Sequence, residues 1–153
     1  MSAPQPDRAG FLMRGSWRRD PVLAHRIELA GGSGAPSEVR AIFARLLGDR
    51  LAERDRSDVL VLVCELVTNA VRHGYAGVDE TIVVHVAIAA DILRTEVCDQ
   101  GPGFTPPAVP QSRAEGGGNG LILVERLSSS WGVASDDGTC VWFEFALDPA
   151  TLY

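Results

Sequence analysis

Apolar residues recur every three or four positions in three segments of the chain, and this spacing is typical of amphipathic helices. The first segment covers residues 36–47, and the second extends from a predicted N-cap at Ser57 to His73. The third segment covers residues 121–127 and follows a glycine-rich stretch. The pattern therefore predicts three helices, each with one face buried against the rest of the protein.

Five other segments are rich in β-branched and aromatic residues, which favours strands. They cover residues 25–29, 81–90, 92–98, 131–133 and 139–147. Short turns at residues 89–91 and at Asp136-Asp137-Gly138 predict two antiparallel hairpins. The resulting order is a strand, two helices, two strands, a long loop, a helix and two strands. This order predicts an α+β fold, a two-layer α/β sandwich with helices on one face of a mixed, mostly antiparallel sheet.

The length and charge of the chain limit the class of protein. A chain of 153 residues with 46% hydrophobic and 22% charged residues predicts one ordinary globular domain. We place this domain at residues 22–153 and expect residues 1–21 to be a poorly ordered extension. The net charge of −6 argues against a general nucleic-acid binder. No apolar run reaches the length of a membrane span and no secretory signal is evident, so we expect a cytoplasmic protein.

The chain contains no lysine, and its 14 basic residues are all arginine. A P-loop requires a lysine on the phosphates, and a eukaryotic-type protein kinase requires a lysine on a strand, so both classes are excluded. Any handling of phosphate must therefore use Mg²⁺, backbone N–H groups and arginine.

The three cysteines, Cys64, Cys98 and Cys140, lie far apart in the chain and within apolar runs. An odd number of widely separated cysteines does not match a disulfide framework or the ligand spacing of a zinc site. We therefore expect reduced thiols in the core.

The second predicted helix places two polar residues, Glu65 and Asn69, one turn apart on the same face. An amide oxygen is a ligand for Mg²⁺, and a nearby carboxylate can accept a proton from a nucleophile. The alternative is a solvated helix face that happens to carry a glutamate and an asparagine.

Two glycine-containing motifs follow. Asp99 closes a strand and is followed by Gly101 and Gly103, so that a carboxylate acceptor stands beside backbone that tolerates close approach. Residues 116–120 precede a helix, where backbone N–H groups and the helix dipole attract anions. Taken singly, the first motif also fits an Asp-Gly turn, and the second also fits a flexible linker. Arg113 and His73 are more typical of a solvated loop and of a helix C-terminus.

Together these motifs resemble the GHKL ATPase superfamily, and within it the stand-alone anti-sigma-factor serine/threonine kinases. The segment from Glu65 to His73 resembles the N box, the segment from Asp99 to Phe104 resembles the G1 box, and Gly118-Asn119-Gly120-Leu121 resembles the G2 box. Gly138-Thr139 and the run after them resemble the closing strand.

The resemblance implies the Bergerat ATP-binding fold with ATP and Mg²⁺ as ligands. By carry-over, Glu65 would be the catalytic base, Asn69 would hold the metal, and Asp99 would bind the adenine N6 amine. The other residues expected to bind ATP are Gly101, Gly103, Gly118, Asn119, Gly120, Leu121 and Thr139. Residues 105–119 would form a lid over the nucleotide, although the prolines in this stretch and the uncertain position of Arg113 depart from the family pattern.

The function implied by the resemblance is phosphorylation of a STAS-type anti-anti-sigma partner by a protein that also binds a sigma factor, and homodimerisation is expected with it. The alternative is an ATP-binding sequestering module without significant kinase activity. The catalytic domain of a two-component histidine kinase fits less well, because only about 21 residues precede the first strand, and Met1 favours a complete chain.

Overall fold

The computed structural model describes residues 21–73, 79–101, 119–134 and 138–148, apart from the side chains of His73, Asn119 and Gly120. The predicted N-terminal extension and most of the predicted lid lie outside these residues, as does most of the Asp136-Asp137-Gly138 turn. The fold described below is therefore that of the helices and the sheet.

The described elements follow the order that the sequence predicts. The helices are α1 (Ala35–Leu47), α2 (Glu53–His73) and α3 (Asn119–Leu127), with a short 3-10 helix at Gly48–Arg50 between the first two. The strands are β1 (Leu23–Ala30), β2 (Thr81–Ala89), β3 (Ile92–Asp99), β4 (Ser130–Ala134) and β5 (Thr139–Ala146).

The start of α2 differs from the prediction. The helix begins at Glu53, so Ser57 lies inside it and the predicted N-cap at Ser57 is wrong. Glu53 and Asp55 occupy the first turn, where carboxylates are favourable beside the positive end of the helix dipole. The apolar pattern begins only at Val59 because the first turn faces away from the core, with Glu53 exposed and Val59 fully buried.

The sheet has five strands in the order β1-β2-β3-β5-β4, and its four pairings are all antiparallel. β2 and β3 are joined by the two residues Ala90 and Asp91, and Ala90 adopts a positive φ of 52°, as tight hairpin turns require. The fold class predicted from the sequence is confirmed, with helices packed on one face of an antiparallel sheet.

The helices and the sheet share one hydrophobic core. α1 packs against α2, and α2 packs against both β3 and α3. Val59, Leu62 and Leu66 of α2 are 0–1% exposed, as the helical period predicts. The sheet presents its alternate residues to this layer, and these are Ile82, Val84, Val86, Leu93, Val97, Val141, Phe143 and Phe145.

The opposite face of the sheet carries a charged cluster. Arg94 is 1% exposed, and its Nη1 donates to Oε1 of Glu144 on the neighbouring strand at 2.8 Å. The Arg94 guanidinium also lies 4.2 Å from the ring centroid of Trp142, a cation–π contact. Gly132 pairs with Trp142, and a Cβ on Gly132 would lie 2.8 Å from that indole ring. The glycine therefore allows the indole ring to approach the backbone of β4 closely.

The state of the cysteines also differs from the prediction. Cys98 and Cys140 form a disulfide, whereas Cys64 is free. The two bonded residues are separated by 42 positions in the chain but lie directly opposite each other on β3 and β5. Their juxtaposition depends on the register between these strands, which the spacing of the cysteines in the sequence does not reveal.

Among the described residues, no helix combines the length and the hydropathy needed to cross a bilayer.

Candidate nucleotide-binding site

The end of β3 presents a buried carboxylate. Asp99 is the last residue of the strand and is 6% exposed. Its Oδ1 accepts a hydrogen bond of 2.6 Å from the backbone N–H of Gly101, which closes a tight turn. An ionised carboxylate can accept about four hydrogen bonds. The Asp99 side chain is therefore held in one orientation and still has acceptor capacity for a ligand.

Burial changes the acidity of this group. Desolvation raises the pKa of Asp99 above its ordinary value of 3.8, and the hydrogen bond from Gly101 opposes that shift in part. The raised pKa means that burial makes the ionised form of Asp99 less favourable in the free protein than in water. Such an arrangement is typical of functional sites, where a ligand compensates for the desolvation.

Thr139 completes this part of the site from the neighbouring strand. It is the first residue of β5, it lies opposite Asp99 in the β3–β5 register, and it is 3% exposed. Its hydroxyl donates to the carbonyl oxygen of Gly101 at 3.4 Å. The structure thus brings together Asp99, Gly101 and Thr139, three of the residues expected from the sequence to contact adenine.

Gly138 has a role that the sequence alone does not reveal. It has a φ of 84°, which favours glycine, and a Cβ at this position would lie 2.2 Å from the carbonyl oxygen of Asp99. The sequence marks Gly138 as a turn residue beside the closing strand, but its close approach to β3 depends on strand pairing. No side chain fits here unless the end of β3 moves.

The middle of α2 carries the second group of predicted site residues. Asn69 is 8% exposed, and Glu65, one turn earlier, is only half-buried. The hydroxyl of Thr68 donates to the carbonyl oxygen of Cys64 at 2.8 Å and so satisfies itself within the helix. Burial raises the pKa of the neighbouring Cys64 thiol, and the nearby Arg40 opposes this shift. Cys64 is thus a weakly acidic, poorly reactive thiol.

The helix that carries one motif packs against the strand that carries the other. α2, which carries Glu65 and Asn69, packs against β3, which ends at Asp99. α3 begins at Asn119 and packs against α2, with Leu121 buried at 7% exposure.

The remaining predicted contacts cannot be placed. Gly103, Gly118 and Arg113 lie outside the described residues, and so do the side chains of Asn119 and Gly120. The glycine-rich part of the site therefore stays a prediction.

The described donor set suits a magnesium nucleotide. Amide and carboxylate oxygens are hard ligands of the kind that Mg²⁺ prefers, and Mg²⁺ usually binds few protein groups together with phosphate oxygens. Asn69 is recessed into the protein at 8% exposure, and its amide oxygen is a ligand type that Mg²⁺ accepts. At the strand end, an acceptor fixed by a backbone N–H matches an exocyclic amine donor.

A shallow pocket of about 740 Å³ lies at the start of α2 and does not coincide with these residues. It is lined by Asp49, Arg50, Leu51, Ala52, Glu53 and Arg56. None of these residues belongs to the motifs. We therefore assign the candidate site from the geometry of β3, β5 and α2.

The fold and these motifs define a class of ATP-binding domain, and comparison with known families agrees. Residues 34–145, more than two thirds of the chain, match the family described as the histidine kinase-like ATPase domain. The chain belongs to this family. Membership indicates ATP binding and a kinase-like or ATPase function.

Two solved structures are similar in part. The histidine kinase domain of the blue-light activated histidine kinase from Erythrobacter litoralis EL346 is 19% identical, with a TM-score of 0.49, over 74% of this chain and 60% of that one. The histidine kinase AdeS from Acinetobacter baumannii is 14% identical, with a TM-score of 0.46, over 92% of this chain and 75% of that one. At these scores the similarities add nothing to the family assignment, and the chain spans only about 60% of the first structure.

Proposed function

We propose that this protein is an ATP-dependent serine/threonine kinase that phosphorylates a STAS-type anti-anti-sigma partner and that regulates a sigma factor by binding it. The observation that carries the proposal is the pairing of a half-buried carboxylate, Glu65, with a buried amide, Asn69, on one helix face. A domain that only binds nucleotide needs the amide but has no use for a carboxylate one turn away.

The difference in burial between these two residues supports separate roles. Asn69 is recessed into the protein, as a ligand of a nucleotide-bound metal would be. Glu65 remains accessible, as a base must be if it is to meet a hydroxyl that arrives on another protein. A solvated helix face would leave both side chains exposed, and Asn69 is not.

The buried strand end supports adenine as the base. Asp99 would accept from the N6 amine, and the hydroxyl of Thr139, held at the carbonyl of Gly101, would lie beside it. Both groups are buried and oriented before the ligand arrives, so little side-chain entropy is lost on binding.

The proposed reaction is a direct phosphoryl transfer. The hydroxyl oxygen of the partner bonds to the γ-phosphorus, the bond from that phosphorus to the β–γ bridging oxygen breaks, and ADP leaves. Glu65 takes the proton of the hydroxyl as the new bond forms. Mg²⁺ held by Asn69 would neutralise charge on the phosphates. The chain has no lysine to share this task, so alignment and the metal carry most of the catalysis.

The partners are proposed on the resemblance to the anti-sigma-factor kinases. The motif that carries this resemblance extends over nine residues of α2, from Glu65 to His73, and includes both proposed functional side chains. The cluster at Asp99 and Thr139 is compatible with any member of the wider family, so it does not discriminate between partners.

The test is transfer of labelled γ-phosphate from ATP to candidate STAS-domain proteins in the presence of Mg²⁺. We expect an acid-stable phosphoserine or phosphothreonine on the partner, and a fall in rate of about 10²-fold or more in Glu65→Gln. The matched control is Glu53→Gln, which removes the same charge from an exposed position at the start of the same helix. Its transfer rate should equal that of the wild type.

Three outcomes would contradict the proposal. An unchanged rate of phosphate transfer in Glu65→Gln would show that Glu65 is not the catalytic base. An acid-labile phosphohistidine would assign the chain to histidine phosphorylation. Tight ATP binding without transfer to any STAS-domain protein would favour the sequestering module.

A further inference from the structure

The disulfide between Cys98 and Cys140 lies one residue from the candidate site. In the β3–β5 register, Cys98 pairs with Cys140 and the next pair is Asp99 with Thr139. Asp99 ends β3 and Thr139 begins β5, so this next pair is the last one of the ladder. The disulfide therefore links β3 and β5 covalently one pair before the end of their ladder, where Asp99, the proposed adenine acceptor, lies.

The two pairs point to opposite faces of the sheet. Val97 and Val141, one position further along, are buried in the core beneath the helices, and residues that alternate with them face the other way. Asp99 and Thr139 share the helix-facing side, and the two cysteines lie on the side of Arg94 and Glu144. The disulfide and the proposed nucleotide site thus lie on opposite faces of the sheet.

The disulfide supplies a link that the backbone does not. The Cα atoms of Cys98 and Cys140 are 4.0 Å apart, the close spacing typical of a pair without mutual backbone hydrogen bonds in an antiparallel ladder. At such a pair the two strands are joined only through their side chains. By the same alternation Asp99 and Thr139 are a hydrogen-bonded pair, so once the S–S bond is broken these backbone hydrogen bonds alone join the strands at the end of the ladder.

The surroundings of the sulfur atoms suit both oxidation states. Cys98 is partly exposed, whereas Cys140 is 3% exposed, so Cys98 is the more accessible residue of the pair. Oε1 of Glu96 lies 3.5 Å from Sγ of Cys98 and can accept the S–H of the reduced thiol. These three residues bring their donor atoms within 4.8 Å of one another. In the disulfide state, however, neither sulfur is a thiolate that could bind a metal.

We propose that Cys98 and Cys140 form a reversible thiol–disulfide switch, in which the disulfide form holds the ends of β3 and β5 in register and so tightens nucleotide binding. The inference rests on the proposed ATP site at Asp99 and Thr139. It assigns to that site a form of regulation that acts through strand pairing, without any contact between the sulfur atoms and the ligand.

The exchange reaction is balanced by a small thiol and its disulfide. On reduction, the thiolate RS⁻ attacks Sγ of Cys98, the S–S bond breaks, and Cys140 leaves as a thiolate that takes a proton. A second thiolate attacks the mixed disulfide, which releases Cys98 as a thiol and RS–SR as the oxidised product. On oxidation RS–SR accepts the two electrons and leaves as two RSH.

The test compares the full chain in its two states. We expect the oxidised protein to bind Mg-ATP about three to ten times more tightly than the protein reduced with dithiothreitol, because the acceptor is better ordered before binding. Affinity is measured by isothermal titration calorimetry, and the state of the cysteines is checked by intact mass. Amide hydrogen exchange at residues 97–101 and 138–141 should be faster in the reduced protein.

Two variants serve as controls. The double variant Cys98→Ser/Cys140→Ser should bind with the affinity of the reduced wild type, with or without reductant. Cys64→Ser should keep the full difference between the two states, because the Cys64 thiol is near a carbonyl of another segment and takes no part in the pair.

The outcomes separate this inference from the proposed function. Equal affinities and equal exchange in the two states would overturn the switch and leave ATP binding intact. Failure of oxidised glutathione to form the disulfide in the reduced protein would also overturn it. If neither state binds Mg-ATP, the proposed function and the coupling both fail, and faster exchange in the reduced protein would then show only a change in the strand ends.

Discussion

At the scale of single residues, the site depends on polar groups whose burial costs free energy. Asp99 is nearly inaccessible, its pKa is raised by desolvation, and one backbone N–H only partly compensates. Under the proposed function, a ligand amine would donate a further hydrogen bond to this carboxylate. If Asp99 serves ligand binding at a cost in stability, its mutation should weaken binding without lowering the free energy of unfolding.

We predict that Asp99→Asn weakens Mg-ATP binding by at least about tenfold while leaving the free energy of unfolding unchanged or raising it by up to about 1 kcal/mol. The asparagine oxygen can still accept from Gly101, but its NH₂ group would then face the adenine amine, so that two donors meet. Calorimetric titration and urea denaturation measure the two effects.

The same variant has a pH signature. Because the folded-state pKa of Asp99 lies above the unfolded value, the native state holds the proton more strongly, and the stability of the wild type falls as pH rises from about 3.8 through the raised pKa. Asp99→Asn has no such titration. The free energy of unfolding of the variant minus that of the wild type should therefore increase as pH rises from about 3.8 through the raised pKa, and stay constant above it. A variant that is less stable than the wild type at neutral pH would refute this account.

At the scale of secondary-structure elements, the pairing of β3 with β5 organises two different sets of side chains. On the helix-facing side it aligns Asp99 with Thr139, and on the opposite side it aligns Arg94 with Glu144. The buried guanidinium of Arg94 is stabilised by the Glu144 carboxylate and by the face of Trp142. This charged cluster favours one register, because a shift by one residue would place a charge among the apolar side chains of the core.

We predict that Glu144→Gln lowers the free energy of unfolding by about 1.5–3 kcal/mol, since the buried guanidinium of Arg94 loses its ion pair with the carboxylate on β5. The matched control is Glu28→Gln in β1, which breaks the Arg26–Glu28 ion pair on exposed side chains and should cost less than about 1 kcal/mol. Urea denaturation of both variants measures the difference. Equal costs would mean that burial of Arg94 does not strengthen its ion pair.

At the scale of the whole molecule, the candidate site belongs to both layers. Asn69 is on a helix, Asp99 and Thr139 are on the sheet, and the packing of α2 against β3 joins the two. A ligand that contacts both layers binds only the folded state, in which those layers are assembled. Its binding free energy is therefore added to the stability of the protein.

We predict that Mg-ATP at 100 times its Kd raises the free energy of unfolding by about 2.7 kcal/mol, and that chelation of Mg²⁺ removes most of this gain. In Asn69→Ala the gain with Mg²⁺ should fall to that of the chelated wild type, because the metal loses its protein ligand. Thr68→Ala is the control on the same helix and should keep the full gain. Denaturation with and without ligand, compared within each variant, excludes any effect of the mutation on the free protein.

The sequence predicted the order of the elements and the class of the fold because both depend on local patterns. The helical period along α2 identified the apolar residues that are buried between this helix and the sheet. The motifs at Asn69 and Asp99 were recognisable because each is short. Glu65 lies four residues before Asn69, and Gly101 lies two residues after Asp99.

The start of α2 was misplaced because an exposed first turn leaves no apolar period, even though the helix continues there. The disulfide was missed for a different reason: Cys98 and Cys140 are 42 positions apart, and only the β3–β5 register brings them together. The approach of Gly138 to the backbone of Asp99 depends on the same register.

The sequence by itself thus determined the order of the helices and strands, and it predicted which short motifs carry acceptors suited to a magnesium nucleotide. The tertiary structure decided which distant residues stand opposite one another at the end of β3 and β5, how deeply Asp99 and Asn69 are buried, and that two cysteines join the strands beside the site. The physical reason is that periodicity and turn chemistry act over a few residues, whereas strand register and burial arise only when the whole core is packed.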